Sequence, residues 1–515
     1  NERHAAILTI IMIIAVIPII ITTASAKEIY LSSNGKDKND GTTPATAVKT
    51  LSKALSLADK GDEIKVSGFI DISKEPTSDQ YGNGCYNLKR NQGVKFPNKA
   101  LTITGDNRET CGFDGKSNSG NGTGCLRLDG VYDGLTVKNL TIKNGDPCGD
   151  KGGGAYIREG KITFDNCAFI DNRNYKQNNG TTRGGAIYYE GNHPDSKLTL
   201  NKCIFKGNLN KEGSDIFFSN GTLLADGCSF EGTDASIYAG SEGGVLKTTT
   251  QGDFNDIVFR NSVIRNYKVD TNGAAFSLKH LVKDKNLNLR VENCLIYNNQ
   301  CLKYQGGVCI VDNSQPSGTD KVTFINTTMY GNKAMSGGAI MLDQVPETTS
   351  TFDLINCTIV GNDSQSGGGV RINNRAVNMT KRIYNCILEG NTEKGERPSD
   401  LSIQYNDVNG NELIIKNSFI GSESSNKLSD GFATESQMNY TPNGISCGLV
   451  ENPIECIQKL KCIPLKDNSQ ALKAGNAQYL KEVGVYVDQL QKTRPYSDNK
   501  CAAGAIENPI GKIGK

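Results

Sequence analysis

Between residues 184 and 208 the chain reads Gly184-Gly185-Ala186-Ile187, then Lys197-Leu198-Thr199-Leu200, then Cys203-Ile204-Phe205, and closes on Asn208. Apolar and polar residues alternate over short runs here, a period of two that calls for short β-strands. The same order of elements returns along most of the chain. Gly-Gly-small-apolar copies stand at Gly153-Gly154-Ala155-Tyr156, Gly243-Gly244-Val245-Leu246, Gly306-Gly307-Val308-Cys309, Gly337-Gly338-Ala339-Ile340 and Gly368-Gly369-Val370. Ser214-Asp215-Ile216, Gly273-Ala274-Ala275-Phe276 and Ser399-Asp400-Leu401 are degenerate copies. Successive copies lie about 29 to 33 residues apart, the signature of a stacked repeat.

A second element falls between them, as Asn166-Cys167-Ala168-Phe169, Asn261-Ser262-Val263-Ile264, Asn293-Cys294-Leu295-Ile296, Asn326-Thr327-Thr328-Met329, Asn356-Cys357-Thr358-Ile359, Asn385-Cys386-Ile387 and Asn417-Ser418-Phe419. An alternating strand precedes each, such as Lys161–Phe164, Lys321–Phe324 or Thr351–Leu354. A repeat of about 31 residues made of several short strands leaves no room for a helix between every pair. A chain that returns to its starting point every repeat winds into a coil, each coil pairing in parallel with the next about 4.8 Å away. The expected fold is therefore all-β, a right-handed parallel β-helix. Glycine pairs suit sharp turns or close backbone approach. Asparagines suit turns, and stacked in register they suit amide ladders.

Cys167, Cys203, Cys228, Cys294, Cys357 and Cys386 share one repeat position, taken elsewhere by Ser262, Thr327 and Ser418. Their parity matches Phe169, Phe205 and Phe230, so they are expected in one inward stack, where cysteine acts as a small hydrophobe. Disulfides between neighbouring coils are the geometric alternative. Cys447, Cys456, Cys462 and Cys501, beyond the repeats, are the better disulfide candidates.

The ends differ from the middle. Ala5–Ile21 is nearly all apolar, Arg3 precedes it, and Ala24-Ser25-Ala26 supplies a small-residue cleavage site, so 1–26 reads as a signal peptide. No retained membrane span is expected, and the mature protein is expected to be secreted or held at the cell surface. Residues 27–72 read as an N-terminal cap with a first strand. Its helix is expected over Ala47–Ala58, with Leu51, Ala54, Leu55 and Ala58 on one face. The β-helix is expected over 73–420, with Tyr267–Asn272 and Leu281–Asn286 as loops thrown outward. Residues 421–515 form a C-terminal capping or surface-association segment. Fifty-seven basic and 55 acidic residues give a net charge of +2 with no basic tract, which gives nucleic acid no support as a partner.

The Gly-Gly-Ala-Ile and Phe-x-x-Asn elements, clearest at Gly184–Ile187 and Phe205–Asn208, resemble the repeats of the polymorphic outer-membrane protein family, surface β-helices that include adhesins. No train of amphipathic membrane strands follows, which departs from that family's autotransport barrel. Tyr30–Gly35, Asn39–Pro44 and Gly61–Ile64 resemble exported right-handed β-helix proteins, a group that includes polysaccharide lyases. Ser469–Asn476, Arg494 and Cys501–Glu507 are similar to the C-terminal region of a family whose surface anchor is undetermined.

These resemblances imply fold and compartment; activity belongs to sites grafted on the fold. A lyase needs a Lys or Arg base and positive charge beside the substrate carboxylate, and a glycosidase needs paired carboxylates. Arg173, Arg183, Arg260, Arg265, Arg371 and Arg375, with Asp165, Asp171, Asp215 and Asp226, are the candidates, spread over several coils with no compact motif. Asn144, Asp146 and Asp150 supply oxygens that suit Ca²⁺ or an ordinary polar turn, and the turn is preferred. No other cofactor is implied. The sequence thus points to a binding or structural surface protein, an adhesin or glycan binder, whose partner is an extracellular polysaccharide or surface protein. The alternative is a polysaccharide lyase or glycosidase.

Overall fold

The computed structural model describes residues 26–508 except 88–92, 118–121, 148–150, 175–181, 250–251, 253–254, 280–284, 313–318, 345–349, 374–378, 405–411, 423–437, 442–452 and 495–498. The signal segment, Asp150, Arg375 and Cys447 lie outside the described residues, as does most of the loop expected at Leu281–Asn286.

Strands of successive coils pair in parallel from Glu28–Ser32 on Glu63–Ser67 to Glu412–Ile420 on Met438–Thr441, so the chain is a parallel β-helix. Each coil gives a strand to three faces. The first face holds strands such as Lys197–Asn201, Gly221–Asp226 and Asn255–Arg260. The second holds Ala168–Ile170, Ile204–Lys206 and Ser229–Glu231, and the third Ile187–Glu190, Ile216–Phe218 and Leu246–Thr248. A small side sheet, Lys268–Val269 to Thr392–Glu393, lines the passage from the second face to the third.

The corner between first and second faces turns on an asparagine in the left-handed region, as at Asn166 (φ 52°), Asn293 (φ 54°) and Asn356 (φ 51°). The next residue is the recurrent Cys, Ser or Thr, buried in the core with Phe169, Phe205 and Phe230, whose rings stack at 5.0 and 4.8 Å. The inward stack is as expected, and its chemistry explains why these three residue types interchange. Cys203 Sγ donates to Phe164 O (3.4 Å), Cys228 Sγ to Leu200 O (3.3 Å), and Ser418 Oγ to Ile383 O (3.2 Å). Ser262 Oγ in turn accepts from Cys228 N (3.0 Å). Each small side chain thus ties the corner to the backbone of a neighbouring coil. Burial pushes the Cys167 and Cys294 thiols up to about 12, so they stay protonated donors. None of the described cysteines forms a disulfide, Cys456, Cys462 and Cys501 included.

A second asparagine row runs inside the coils. Asn172 Nδ2 donates to Asn208 Oδ1 (3.1 Å); farther along, Asn299 donates to Asn332 (2.9 Å), Asn332 to Asn362 (2.9 Å) and Asn362 to Asn391 (2.8 Å). Thr233 follows Asn208 in this row, and no asparagine follows Asn391. In those two coils the ladder ends on an aspartate: Asn208 Nδ2 donates to Asp215 (3.0 Å), and Asn391 Nδ2 to Asp400 (2.6 Å). The Ser-Asp copies of the glycine element therefore stand where an amide ladder needs a terminal acceptor.

Asp215 is fully buried, and burial pushes its carboxyl up to about 7. Glu75, which accepts from Leu51 N (2.6 Å) and Ser52 N (2.9 Å) at the start of the N-terminal helix, is likewise pushed up to about 7 by burial. A carboxyl of an unfolded chain titrates near about 4. Both groups therefore bind protons more tightly when folded. Their stabilisation is complete below about pH 4 and lost as pH rises through about 7. Melting followed from pH 4.5 to 8 is expected to show stability falling with pH, and Asp215→Asn, which keeps the size and planar shape but cannot ionise, to flatten part of that fall.

The glycine element is a left-handed turn followed by close contact. Gly184 has φ 67°. At Gly338 an added Cβ would sit 2.1 Å from Gly368 O of the next coil. Strand pairing aligns Ala155 with Ile187 and Ile340 with Val370, so Gly152 and Gly367, not Gly153 and Gly368, are equivalent to Gly184. The sequence reading is thus one residue out of register in both triple-glycine runs, because three consecutive glycines carry no side chain to fix the frame. Tyr267–Asn272 is also not an outward loop. Tyr267 is buried in the core, its hydroxyl donating to Asp215, and Lys268–Val269 opens the side sheet. The N-terminal helix is Leu51–Leu57, capped by Thr50, since Val48 is held extended against Leu31. Its four expected apolar residues are buried.

The C-terminal cap is irregular, with helices at Pro453–Leu460 and Gln478–Glu482. It lies along the corner between first and second faces. The turn asparagines grip it: Asn356 Nδ2 donates to Ala502 O (2.8 Å), Asn385 to Asn476 O (2.8 Å), and Asn417 to Ala474 O (3.0 Å).

Candidate functional site

Most charged candidates from the sequence are paired on different faces. Arg260 is bound to Asp226 (2.8 Å) on the first face, and Arg265 to Glu231 (3.1 Å) and Tyr297 on the second. Arg173 meets the buried Asp146 (3.3 Å), and Asn144 Nδ2 donates to Asp114 (3.0 Å). Asp171 forms a left-handed corner (φ 53°), Asp165 lies on the first face, and Asp215 ends the ladder. Arg371 stands on the third face beside Gln404 (2.7 Å). Only Arg183 belongs to a denser assembly.

That assembly covers the outside of the third face between residues 127 and 277. Alternation turns Ala155, Ile157, Ile187 and Tyr189 inward, and points Tyr156, Arg158, Tyr188 and Glu190 outward. Tyr156, Tyr188 and Phe217 stack on successive coils with centroids 5.5 and 5.2 Å apart and planes within 11°. A cation rests on each ring: Arg127 on Tyr156 (4.4 Å), Lys151 on Tyr188 (4.4 Å), and Arg183 on Phe217 (4.7 Å). Such contacts contribute about 0.5–2 kcal/mol each.

Carboxylates cross-brace the cations. Arg158 holds Asp129 through two bonds (2.8 and 3.1 Å), and Arg183 meets Glu212 (2.9 Å). Lys151 reaches across the face to Glu190 (3.7 Å), to which Tyr188 also donates (3.1 Å). Two coils on from Tyr188, buried Lys247 joins Glu242 (2.8 Å) and Ser277 (3.0 Å). The Asp129 bond raises the Arg158 guanidinium, and burial raises the Tyr156 phenol, which keeps both as hydrogen-bond donors. Arg158 and Lys151 remain open to solvent, at 49% and 40% side-chain exposure, so the strip presents charged heads on an immobile base.

The sequence reading missed Asp129, Lys151, Arg158 and Glu190. Aligning the third strand would have shown them, as an outward column Arg127, Tyr156, Tyr188, Phe217, Lys247 flanked by charge. The triple-glycine run at 152–154 hid that frame. Among the described residues no three His, Cys, Asp or Glu side chains gather as a metal site, and no helix is long and apolar enough to cross a membrane.

No family model matches the sequence, and no curated protein matches it. Among solved structures the chain is similar to the pectate lyase Pel9A, at 15% identity and a TM-score of 0.42, over 94% of this chain and 97% of that one. It is also similar to XylC, solved in complex with xylose, at 11% identity and a TM-score of 0.47, over 93% of this chain and 98% of that one.

Proposed function

We propose that this protein works outside the cytoplasm, secreted or at the cell surface, and engages an extracellular polysaccharide along its third face. The observation that carries this reading is the cross-braced strip from Arg127 to Lys247. Its outward side chains recur once per coil in strand register. A linear, periodic array of fixed donors and acceptors suits a linear, periodic, hydroxyl-rich ligand. Holding those groups beforehand removes much of the ordering cost of binding. The strip also sets acid and base side chains together, Lys151 with Glu190 and Arg158 with Asp129. These are the group types that a lyase or glycosidase uses, so cleavage of the bound polymer belongs to the same proposal.

Affinity electrophoresis with xylan, polygalacturonate, alginate and laminarin, with and without Ca²⁺, tests it. At least one polymer is expected to retard the protein. The double variant Lys151→Ala/Arg158→Ala is expected to weaken that retardation at least about tenfold, with little change in melting, because both heads are solvent-exposed. Retardation by none of them, or by the variant as strongly as by the parent, overturns the reading. Product analysis on the retarding polymer separates cleavage from binding: unsaturated ends mark a lyase, and new reducing ends without unsaturation mark a glycosidase.

A further inference from the structure

Beside the strip, where the third face turns into the first, Tyr132, Glu159 and His193 from three successive coils meet. Glu159 follows Arg158 directly, and Tyr132 and His193 stand three residues after Asp129 and Glu190. The Tyr132 hydroxyl donates to Glu159 Oε2, and the Tyr132 ring meets the His193 ring edge to face at 5.2 Å. Asp195 N donates to His193 Nδ1 (3.2 Å), so the neutral ring carries its proton on Nε2. Among the described residues neither Glu159 Oε1 nor His193 Nε2 has a hydrogen-bond partner, and the imidazole is exposed. An acceptor and a donor thus both border the Tyr132 side chain.

The backbone makes this corner unusual. Glu159 has φ 65°, and it is the only glutamate in the left-handed region among the described residues. Strand pairing on either side, Asp129 with Arg158 and Val131 with Gly160, matches Glu159 to Gly130 of the preceding coil, which has φ 73°. Glycine is the residue this backbone favours, so stability alone does not account for a glutamate.

We infer that Tyr132, Glu159 and His193 form a sugar subsite at the rim of the strip, which takes two neighbouring hydroxyls of one polymer unit. One hydroxyl donates to Glu159 Oε1, and the oxygen of the other accepts from His193 Nε2. Tyr132 is a positioning residue that fixes the carboxylate. This subsite rests on the polysaccharide reading of the third face.

The test uses the polymer that retards the parent protein, with Glu159→Gly, Glu159→Gln and His193→Ala each compared by affinity electrophoresis and melting. Glu159→Gly is expected to melt no lower than the parent, since glycine suits that backbone, and yet to bind at least tenfold more weakly. Glu159→Gln keeps the size and an acceptor for Tyr132, and its expected weakening reports the lost charge. His193→Ala is expected to weaken binding as well. Parent-like retardation of all three variants, with Lys151→Ala/Arg158→Ala still impaired, overturns the subsite and leaves the strip. A parent retarded by no polymer overturns both.

Discussion

Arg494→Ala is expected to cost about 3–5 kcal/mol, seen as release of the C-terminal segment from a solenoid that otherwise stays wound. Arg494 is fully buried. Its guanidinium donates to Glu507 Oε2 (2.6 Å), to Asn326 Oδ1 (2.9 Å), and to the carbonyls of Ala502 (3.4 Å), Gly504 (3.1 Å) and Ala505 (3.1 Å). Removing it strands the Glu507 carboxyl, which burial already pushes upward even with the arginine beside it. The Ala502–Glu507 turn then loses the side chain around which it folds. Because the segment is gripped from outside the coils, it has somewhere to go, and the damage stays local. Hydrogen exchange is expected to rise across 453–507 and the turn asparagines, with core strands such as Leu198–Leu200 protected as before. Arg494→Lys is expected to fail as a rescue, because one ammonium cannot address five acceptors in a planar fork. Global unfolding by either variant, or exchange identical to the parent's, would contradict this account.

Asn332→Ala is the second large loss. Asn332 Oδ1 accepts from Asn299 N (3.0 Å) and Asn299 Nδ2 (2.9 Å), while its Nδ2 donates to Ile296 O (3.2 Å) and Asn362 Oδ1 (2.9 Å). All of these groups are buried. Each donor or acceptor left unsatisfied costs about 1–3 kcal/mol, so a total of about 3 kcal/mol or more is expected, read from denaturant midpoints. Asn332→Asp is expected to fall short of a rescue at neutral pH. A carboxylate accepts from Asn299 but has no proton for Ile296 O, and it faces the Asn362 carbonyl oxygen with like partial charge.

These two sites show where the sequence speaks and where it is silent. The coil could be read from residues alone, because alternation, turn asparagines and close-packed glycines are local demands that recur at each winding. The inward parity of Cys203 and Phe205 followed from the same alternation. Arg494 and Glu507 could be quoted as part of a motif, but their joint role depends on Asn326, more than 160 residues away. The strip on the third face has no motif at all. Its members sit one per coil, at spacings that vary with loop length, and only the pairing of strands puts Asp129 beside Arg158. Arg173, Arg260 and Arg265 carry the charge that a catalytic base requires, but charge alone does not make a site. Their partners Asp146, Asp226 and Glu231 account for them as structural pairs.

Tyr267 joins two otherwise separate polar spines. Its hydroxyl binds Asp215, the end of one amide ladder, and its backbone N–H donates to Asn299 Oδ1 (3.1 Å), the start of the other. A solenoid holds together by nearest-neighbour coupling, so its cooperativity is only as long as its weakest joint allows. The two ladders of the interior are thus linked through one side chain. A load carried along the polar interior passes from one ladder to the other through Tyr267.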